Sequence, residues 1–408
     1  MGTKMRLGCV LISSIVMLVL LTGAGLAGDE IVVGVVHWKD FAYAEMMKNS
    51  YDMAVEVVNA KGGLKGRKLK LELVDDQGTR RGGEKAVTEL VKSLGARILI
   101  GGYSSSNTLY TAMAANRLGM PFLVCTAADD RITQRQLQNV FRLNLPASAY
   151  AKGLESWLLE KVLPRSMAIV YENSPYGTGG AMKMMWFCRE NDIELTAIIP
   201  YFRERAAQEY FERILTPLKS RPPDVIYMVS YLKDALELVD QIRRMKAPAL
   251  LCGGAGGFTH YKFIEKANAT GEGLITAALW GPETDFRGAR AYYDDYLERF
   301  QRPPDYHGAE AYSAVLVAAE ALGSARDLQA ENIRAALENI AMETPFGPVK
   351  FARRDTYERQ NWIEPLVFQI IDDRFQCIWP SRLAIGAFTP PAYWRAAQND
   401  PAVAAPKP

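Results

Sequence analysis

Short apolar runs and amphipathic stretches take turns along the chain. IVVGVV from Ile31 is continuously apolar, as a strand covered on both faces would be. Met46, Met47, Met53, Ala54, Val57 and Val58 then recur at helical spacing, and KGGLKGRK ends that helix in a turn. KLKLELV alternates as a strand. The pattern next predicts a helix through Glu84 to Leu94, strand RILIGG from Arg97, a helix from Asn107 to Leu118 and strand PFLVC from Pro121. It restarts after NLPAS at Asn144. There a helix through Trp157 precedes strand SMAIVYE, a helix after Tyr176, strand IELTAIIP, a helix from Gln208, strand DVIYMVS, a helix through Arg244 and strand ALLCGG. Beyond Gly273 come strand GLITAAL, helices at Arg290 to Phe300, Gly308 to Ala321 and Ala330 to Ile340, and short strands at Gly347 to Phe351 and Leu366 to Asp372.

Repeated βα units bury a parallel sheet between helices, because each crossover lays its helix on a sheet face. The restart near Asn144 makes two similar α/β lobes. The Pro-rich tail after Thr389 is expected on the surface, with little order near its end.

The first residues read differently. Lys4 and Arg6 precede an apolar stretch from Val10 to Leu21 and the small residues TGAGLAG, the order of a secretory leader, with cleavage expected after Ala27. The competing reading is a retained membrane anchor, against which Gly23, Gly25 and Gly28 argue. Cys9 sits before the apolar stretch rather than after it, so it is not placed as a lipid anchor. Removing Lys4 and Arg6 from 48 basic residues leaves 46 against 46 acidic ones, which offers no footprint for nucleic acid or an anionic membrane. Four cysteines would remain (Cys125, Cys188, Cys252, Cys377). They are widely spaced, follow no metal pattern, and read as buried small hydrophobes with one bridge left open. With three histidines far apart, neither a metal site nor a cofactor is expected.

EVVNAKGGLKGRKLKLELVDDQG from Glu56, LIGGYSSSNT from Leu99 and IVYENSPYGTG from Ile169, in that order, resemble the branched-chain amino acid and amide group of type I periplasmic binding proteins. These capture substrates for ATP-binding cassette importers. The resemblance implies two Rossmann-like lobes joined by a three-crossover hinge, with a ligand cleft between them. It puts lobe one at residues 29–144 and 280–360, lobe two at 145–279 and 361–390, and a tail at 391–408. It also implies a periplasmic location and a permease and ATPase in the inner membrane as partners.

Candidate site residues follow from strand ends, since open α/β sheets bind ligands beyond the carboxyl ends of their strands. After RILIGG, Tyr103, Ser104, Ser105 and Asn107 begin a helix whose hydroxyls and N–H groups suit a carboxylate. The resemblance implies that Ser104 grips it. After PFLVC, Thr126, Ala127 and Ala128 lie where the family contacts ligand, and Asp129 is either a contact or a helix cap. Tyr176 and Tyr231 match aromatics that cover the ligand. Tyr43 is expected near the ligand side chain, with His37 and Trp38 as neighbours. Ala255, in CGGAGG, stands where amino-acid binders carry a glutamate for the α-ammonium. The ligand is therefore an amino acid, an amide, or a hydrophobic or aromatic carboxylate, and Asp129 is the one candidate for a substitute negative charge.

Enzymatic readings find little support. There is no nucleophile elbow and no Cys/His signature, and Asp75–Asp76 reads as a strand-end turn. Met182, Met184 and Met185 read as helix core. A transport binding protein is the first reading, a ligand sensor for a membrane receptor the second, and a hydrolase a distant third.

Overall fold

A computed structural model describes residues 30–394. The expected leader at 1–27 and the end of the tail, 395–408, lie outside the described residues.

Two seven-stranded sheets form the two lobes. The first is built from β1 (Ile31–His37), β2 (Leu69–Asp75), β3 (Ile98–Gly101), β4 (Phe122–Val124) and β5 (Val140–Arg142), all parallel, and β1 runs between β2 and β3. Helices α1 (Ala44–Ala60), α2 (Arg80–Lys92), α3 (Ser105–Arg117) and the single turn α4 (Arg131–Gln134) connect them. The second lobe opens with α5 (Lys152–Trp157) and strand β6 (Ser166–Glu172), followed by α6 (Pro175–Glu190) and β7 (Glu194–Tyr201). Two short helices, α7 (Gln208–Ile214) and α8 (Thr216–Ser220), then lead to β8 (Val225–Val229), α9 (Leu232–Arg244), β9 (Leu250–Gly253), α10 (Tyr261–Ala267) and β10 (Ile275–Ala278). Strands β6 to β10 are again parallel, in the order β10-β9-β8-β6-β7.

The chain then returns to the first lobe with α11 (Ala289–Phe300), α12 (Tyr306–Ser324) and α13 (Ala330–Glu338). A separate ribbon, β11 (Met342–Thr344) with β12 (Gly347–Val349), precedes the hairpin of β13 (Ala352–Arg354) and β14 (Tyr357–Gln360), which extends the first sheet beside β5. Finally β15 (Leu366–Ile371) and β16 (Arg374–Trp379) add antiparallel strands beyond β10.

Most predicted elements are present, and the departures have local causes. The helix expected from Gln208 is broken in two at Thr216–Pro217, where proline takes the first turn of a new helix. The strand expected at Gly347 to Phe351 stops at Val349 and pairs with β11 outside both sheets. Strands β5, β11, β13, β14 and β16 are short or lack a strong apolar run, and none of them is among the predicted elements. The tail begins by packing rather than floating: Trp394 is buried against Phe388, and the Arg243 guanidinium lies 3.8 Å over Tyr393.

The chain passes between the sheets three times, after β5, β10 and β14. A buried polar knot joins the first and third passages. Arg142, fully buried, donates to Gln360 Oε1 at 2.6 Å, to the Asp129 carbonyl at 2.7 Å and to Thr133 Oγ1 at 2.8 Å. Gln360 Nε2 donates to the Asn144 and Asn361 carbonyls at 2.6 Å each, and Asn361 N–H donates to the Arg142 carbonyl at 2.9 Å. Asn144 Nδ2 donates to the Thr126 carbonyl and to the Tyr150 hydroxyl.

Helix α5 lies against the third passage so closely that a Cβ at Gly153 would sit 2.5 Å from the Pro365 carbonyl oxygen. The obstacle is backbone, which cannot rotate aside. Gly153→Ala is expected to destabilise the protein by about 1–3 kcal/mol, read as a lower urea midpoint at an unchanged slope.

Candidate functional site: an aromatic cleft between the lobes

The carboxyl ends of both parallel sheets converge on one cleft. On the first lobe β3 ends in Gly101 and Gly102, and α3 starts at Ser105 with Ser104 as its N-cap. The Ser104 side chain makes no capping bond. Ser105 is buried, and its Oγ accepts the Ala128 N–H at 3.1 Å, leaving the hydroxyl proton to be donated elsewhere. Thr126 Oγ1 donates to the Gly102 carbonyl at 3.0 Å. The first N–H groups of α3 have no partner within the helix, so this corner presents donors to the cleft.

On the facing lobe, Tyr176 occupies the first turn of α6, with Ser174 as the cap, rather than a loop before the helix. Its hydroxyl donates to the Gly254 carbonyl at 3.0 Å. Tyr231 is the N-cap of α9; its ring centroid is 5.2 Å from Tyr176 and 6.0 Å from Tyr103 of the first lobe. Arg203 stands 4.2 Å over the Tyr231 ring and pairs with Asp234 at 3.2 Å. The cleft therefore closes as aromatic rings meeting across the gap.

The loop after β9 threads between these rings. Tyr43, on the first lobe, donates its hydroxyl to the Gly256 carbonyl at 3.0 Å, a hydrogen bond that spans the lobes. A Cβ at Gly256, whose φ is +55°, would lie 2.2 Å from the Tyr176 oxygen, so glycine is required. Ala255 is fully buried with φ +60° and ψ −141°, close to conformations that only glycine adopts freely, a strain of order 1–3 kcal/mol.

The cavity enclosed here is ≈ 20 Å³, room for about one water. Of the residues singled out from sequence, Tyr103, Ser105, Tyr176 and Tyr231 line it, as do Thr126 and Ala128. Tyr43 stands behind it, stacked at 3.8 Å on His307 and edge-on at 4.5 Å to His260. Ser104 and Ala255 adjoin lining residues without lining the cavity themselves, and Ala127 packs into the first lobe's core. Asp129 is committed elsewhere. Its carboxylate takes the Arg131 guanidinium at 2.6 and 3.0 Å and the Arg131 N–H at 3.0 Å, and it borders a different groove of ≈ 580 Å³ beside Trp186. Its negative charge is thus matched within its own turn.

Gly256 also lines it, and Tyr150, Tyr306 and His307, which sequence reasoning passed over, complete the lining. Tyr150 rides on the first passage between lobes, where periodicity carries no information. Tyr306 and His307 form the first turn of α12, and Asp305, which caps that helix through the His307 N–H at 2.9 Å, was the available signal.

Burial controls the charge states. It raises the phenols of Tyr103, Tyr176 and Tyr231 above their ordinary range, so they act as neutral hydrogen-bonding groups. All four described cysteines are free and buried, and burial lifts Cys125 and Cys188 to about 12 and Cys377 to about 11. Such thiols are poor nucleophiles. No group of three or more His, Cys, Asp or Glu side chains among the described residues could hold a metal ion.

The family model for periplasmic binding proteins matches residues 40–362. The chain belongs to the periplasmic binding protein family. Among its relatives, Leu/Ile/Val-binding protein homolog 7 of Brucella melitensis biotype 1 is 25% identical over 389 residues, covering 90% of this chain and 95% of that protein. The isoleucine complex of the branched-chain amino acid transporter binding protein LivJ from Streptococcus pneumoniae superposes with a TM-score of 0.76 at 21% identity, covering 85% of this chain and 98% of that one. A solute-binding protein of an ABC transporter from R. palustris, in complex with benzoate, has a TM-score of 0.73 at 18% identity, covering 86% and 96%. These structures share the two-lobed fold seen here. As a member of this family the protein is a solute-binding protein and not an enzyme. No helix among the described residues is long and apolar enough to cross a membrane.

One cleft residue makes stability sensitive to pH. His260 is buried at the lobe contact, edge-on to the Tyr43 ring of the other lobe, and its Nδ1 accepts the Lys262 N–H at 2.9 Å. Burial, with smaller contributions from His307 and Lys262 and against the pull of Asp305, lowers it from 6.5 to about 4. The unfolded chain would protonate near 6.5 and the folded one only near 4. The stabilisation is therefore complete above about pH 6.5 and is lost as the pH falls toward 4, up to about 3 kcal/mol in all. Urea titrations between pH 4 and 7 should show that slope, and His260→Asn, which keeps the helix cap, should flatten it.

Proposed function

We propose that this protein captures a small ligand bearing a carboxylate between its lobes and delivers it to the permease and ATPase of an ABC importer. The leader would export it to the periplasm. The observation that carries the reading is the Ser105 hydroxyl and the α3 N-terminus facing Tyr176 and Tyr231 across a narrow cavity. Hydroxyl and N–H donors at a helix start suit a carboxylate, and the opposing rings suit an apolar or aromatic body. With ≈ 20 Å³ inside, a ligand enters only if the lobes part, so binding would couple to hinge movement about the three passages.

Neither position at which a counter-charge for an α-ammonium was expected supplies one. Ala255 brings no charge, and Asp129 is held by Arg131. An ammonium buried without a counter-charge would suffer a penalty of several kcal/mol. The benzoate held by the R. palustris protein is a ligand of the favoured kind, whereas the isoleucine held by LivJ is not.

Calorimetry with benzoate, 4-hydroxybenzoate, benzamide and leucine tests this. The carboxylates are expected to bind, benzamide and leucine to bind weakly or not at all, and Ser105→Ala to weaken carboxylate binding by about 1.5–3 kcal/mol. Small-angle scattering should show a smaller radius at saturation. Tight leucine binding that Ser105→Ala leaves unchanged would overturn the reading.

A further inference from the structure

Glu310, on α12, has no role in the fold's ledger of partners. It is fully buried, and neither carboxyl oxygen has a hydrogen-bond partner. Its neighbours are engaged elsewhere. Tyr51 points its hydroxyl at Cys125 Sγ at 3.7 Å, and Tyr150 accepts from Asn144. Buried polar groups in folded proteins are almost always paired, so an acid with both oxygens idle marks a position awaiting a partner.

The position is next to the cleft. Tyr306 and His307 line the cavity, and Glu310 lies four and three residues further along the same helix, hence on the same face. Side chains on a helix lean toward its N-terminus, and for Glu310 that direction leads to the turn of Tyr306 and His307. Burial raises the phenols of Tyr150 and Tyr306, both lining residues, and the thiol of Cys125, the residue before Thr126, and Glu310 adds a smaller contribution to each, which places it near all three. Its surroundings hold no compensating cation, and burial, aided by Asp305, pushes its own pKa far upward, so it is a neutral acid in this state.

We propose that Glu310 is a specificity-determining residue, which pairs with a hydrogen-bond donor at the end of the ligand remote from the carboxylate. The inference rests on the carboxylate reading above. Ser105 and α3 hold one end; the body lies among the tyrosines; the far end reaches the floor beneath Tyr150 and Tyr306, where Glu310 accepts an O–H or N–H. Because the acceptor is already buried and idle, a ligand that brings the donor gains the bond with no further desolvation of the acid, while a ligand lacking it gains nothing at that end.

The test uses benzoate and 4-hydroxybenzoate, which share the carboxylate and ring and differ in the distal hydroxyl. The wild-type protein is expected to prefer 4-hydroxybenzoate by about tenfold or more. Glu310→Leu, close in shape and without polar atoms, should abolish the preference while leaving benzoate affinity and thermal stability at or above the wild-type level. A purely structural role predicts the reverse, a loss of stability with the preference intact. Infrared difference spectra supply a readout that does not depend on that variant. The protonated-carboxyl band, assigned to Glu310 by its absence in Glu310→Gln, should shift with 4-hydroxybenzoate and not with benzoate. Equal affinities for the two ligands, or a preference that survives Glu310→Leu, would overturn the assignment and leave the carboxylate site standing. If neither ligand binds, the carboxylate reading falls and this inference with it.

Discussion

The architecture depends on how a guanidinium is kept inside it. Arg142 lies at the end of β5, fully buried, with no carboxylate directly on it. Removing that charge from water is costly, and the protein offsets the loss with hydrogen bonds that Arg142 donates to a glutamine, a threonine and a carbonyl, and with the nearby negative charge of Asp130. Gln360 Oε1, which accepts from Arg142, belongs to the same amide that binds the backbone at Asn144 and Asn361. The first and third passages between the lobes are therefore tied to one another at the sheet edge.

From the knot outward, the cleft is a meeting of rigid strand ends. Every residue that lines it sits within a few positions of a strand terminus, a helix start or a passage between lobes, where the backbone is already fixed by sheet hydrogen bonds. The aromatic rings bring area without many rotatable bonds, and their hydroxyls are fastened to loop carbonyls: Tyr43 to Gly256 and Tyr176 to Gly254. Those bonds hold Ala255 in a conformation that alanine resists. Strain of this kind persists only where the surroundings over-determine the backbone, and here they do so beside the cleft.

The legibility of each part follows its physics. Buried parallel strands such as Ile31–His37 announce themselves as unbroken apolar runs, and the helices between them by helical spacing, so the α/β class and the two-lobed repeat could be read directly. The serine-rich start of α3 was legible as chemistry because hydroxyls at a strand end and helix start have few other uses. The choice between Ser104 and Ser105 was not legible, since it depends on which side of the first turn faces the cavity. Tyr150 sat in a passage without periodicity, His307 stood one residue before the helix that the pattern marks from Gly308, and the edge strands β13 and β16 were too polar to stand out.

The sequence by itself determined which segments become strands and helices, the order in which they repeat, and the chemical character of the strand ends, because these follow from local spacing and side-chain type. Only the tertiary structure decided which strand ends face each other. It committed Asp129 to Arg131, set Tyr43 against Gly256 of the other lobe, and left Glu310 buried without a partner. Such outcomes are set by packing between segments far apart in the chain, where one side chain's hydrogen bonds are fixed by what the fold happens to bring within 3 Å of it.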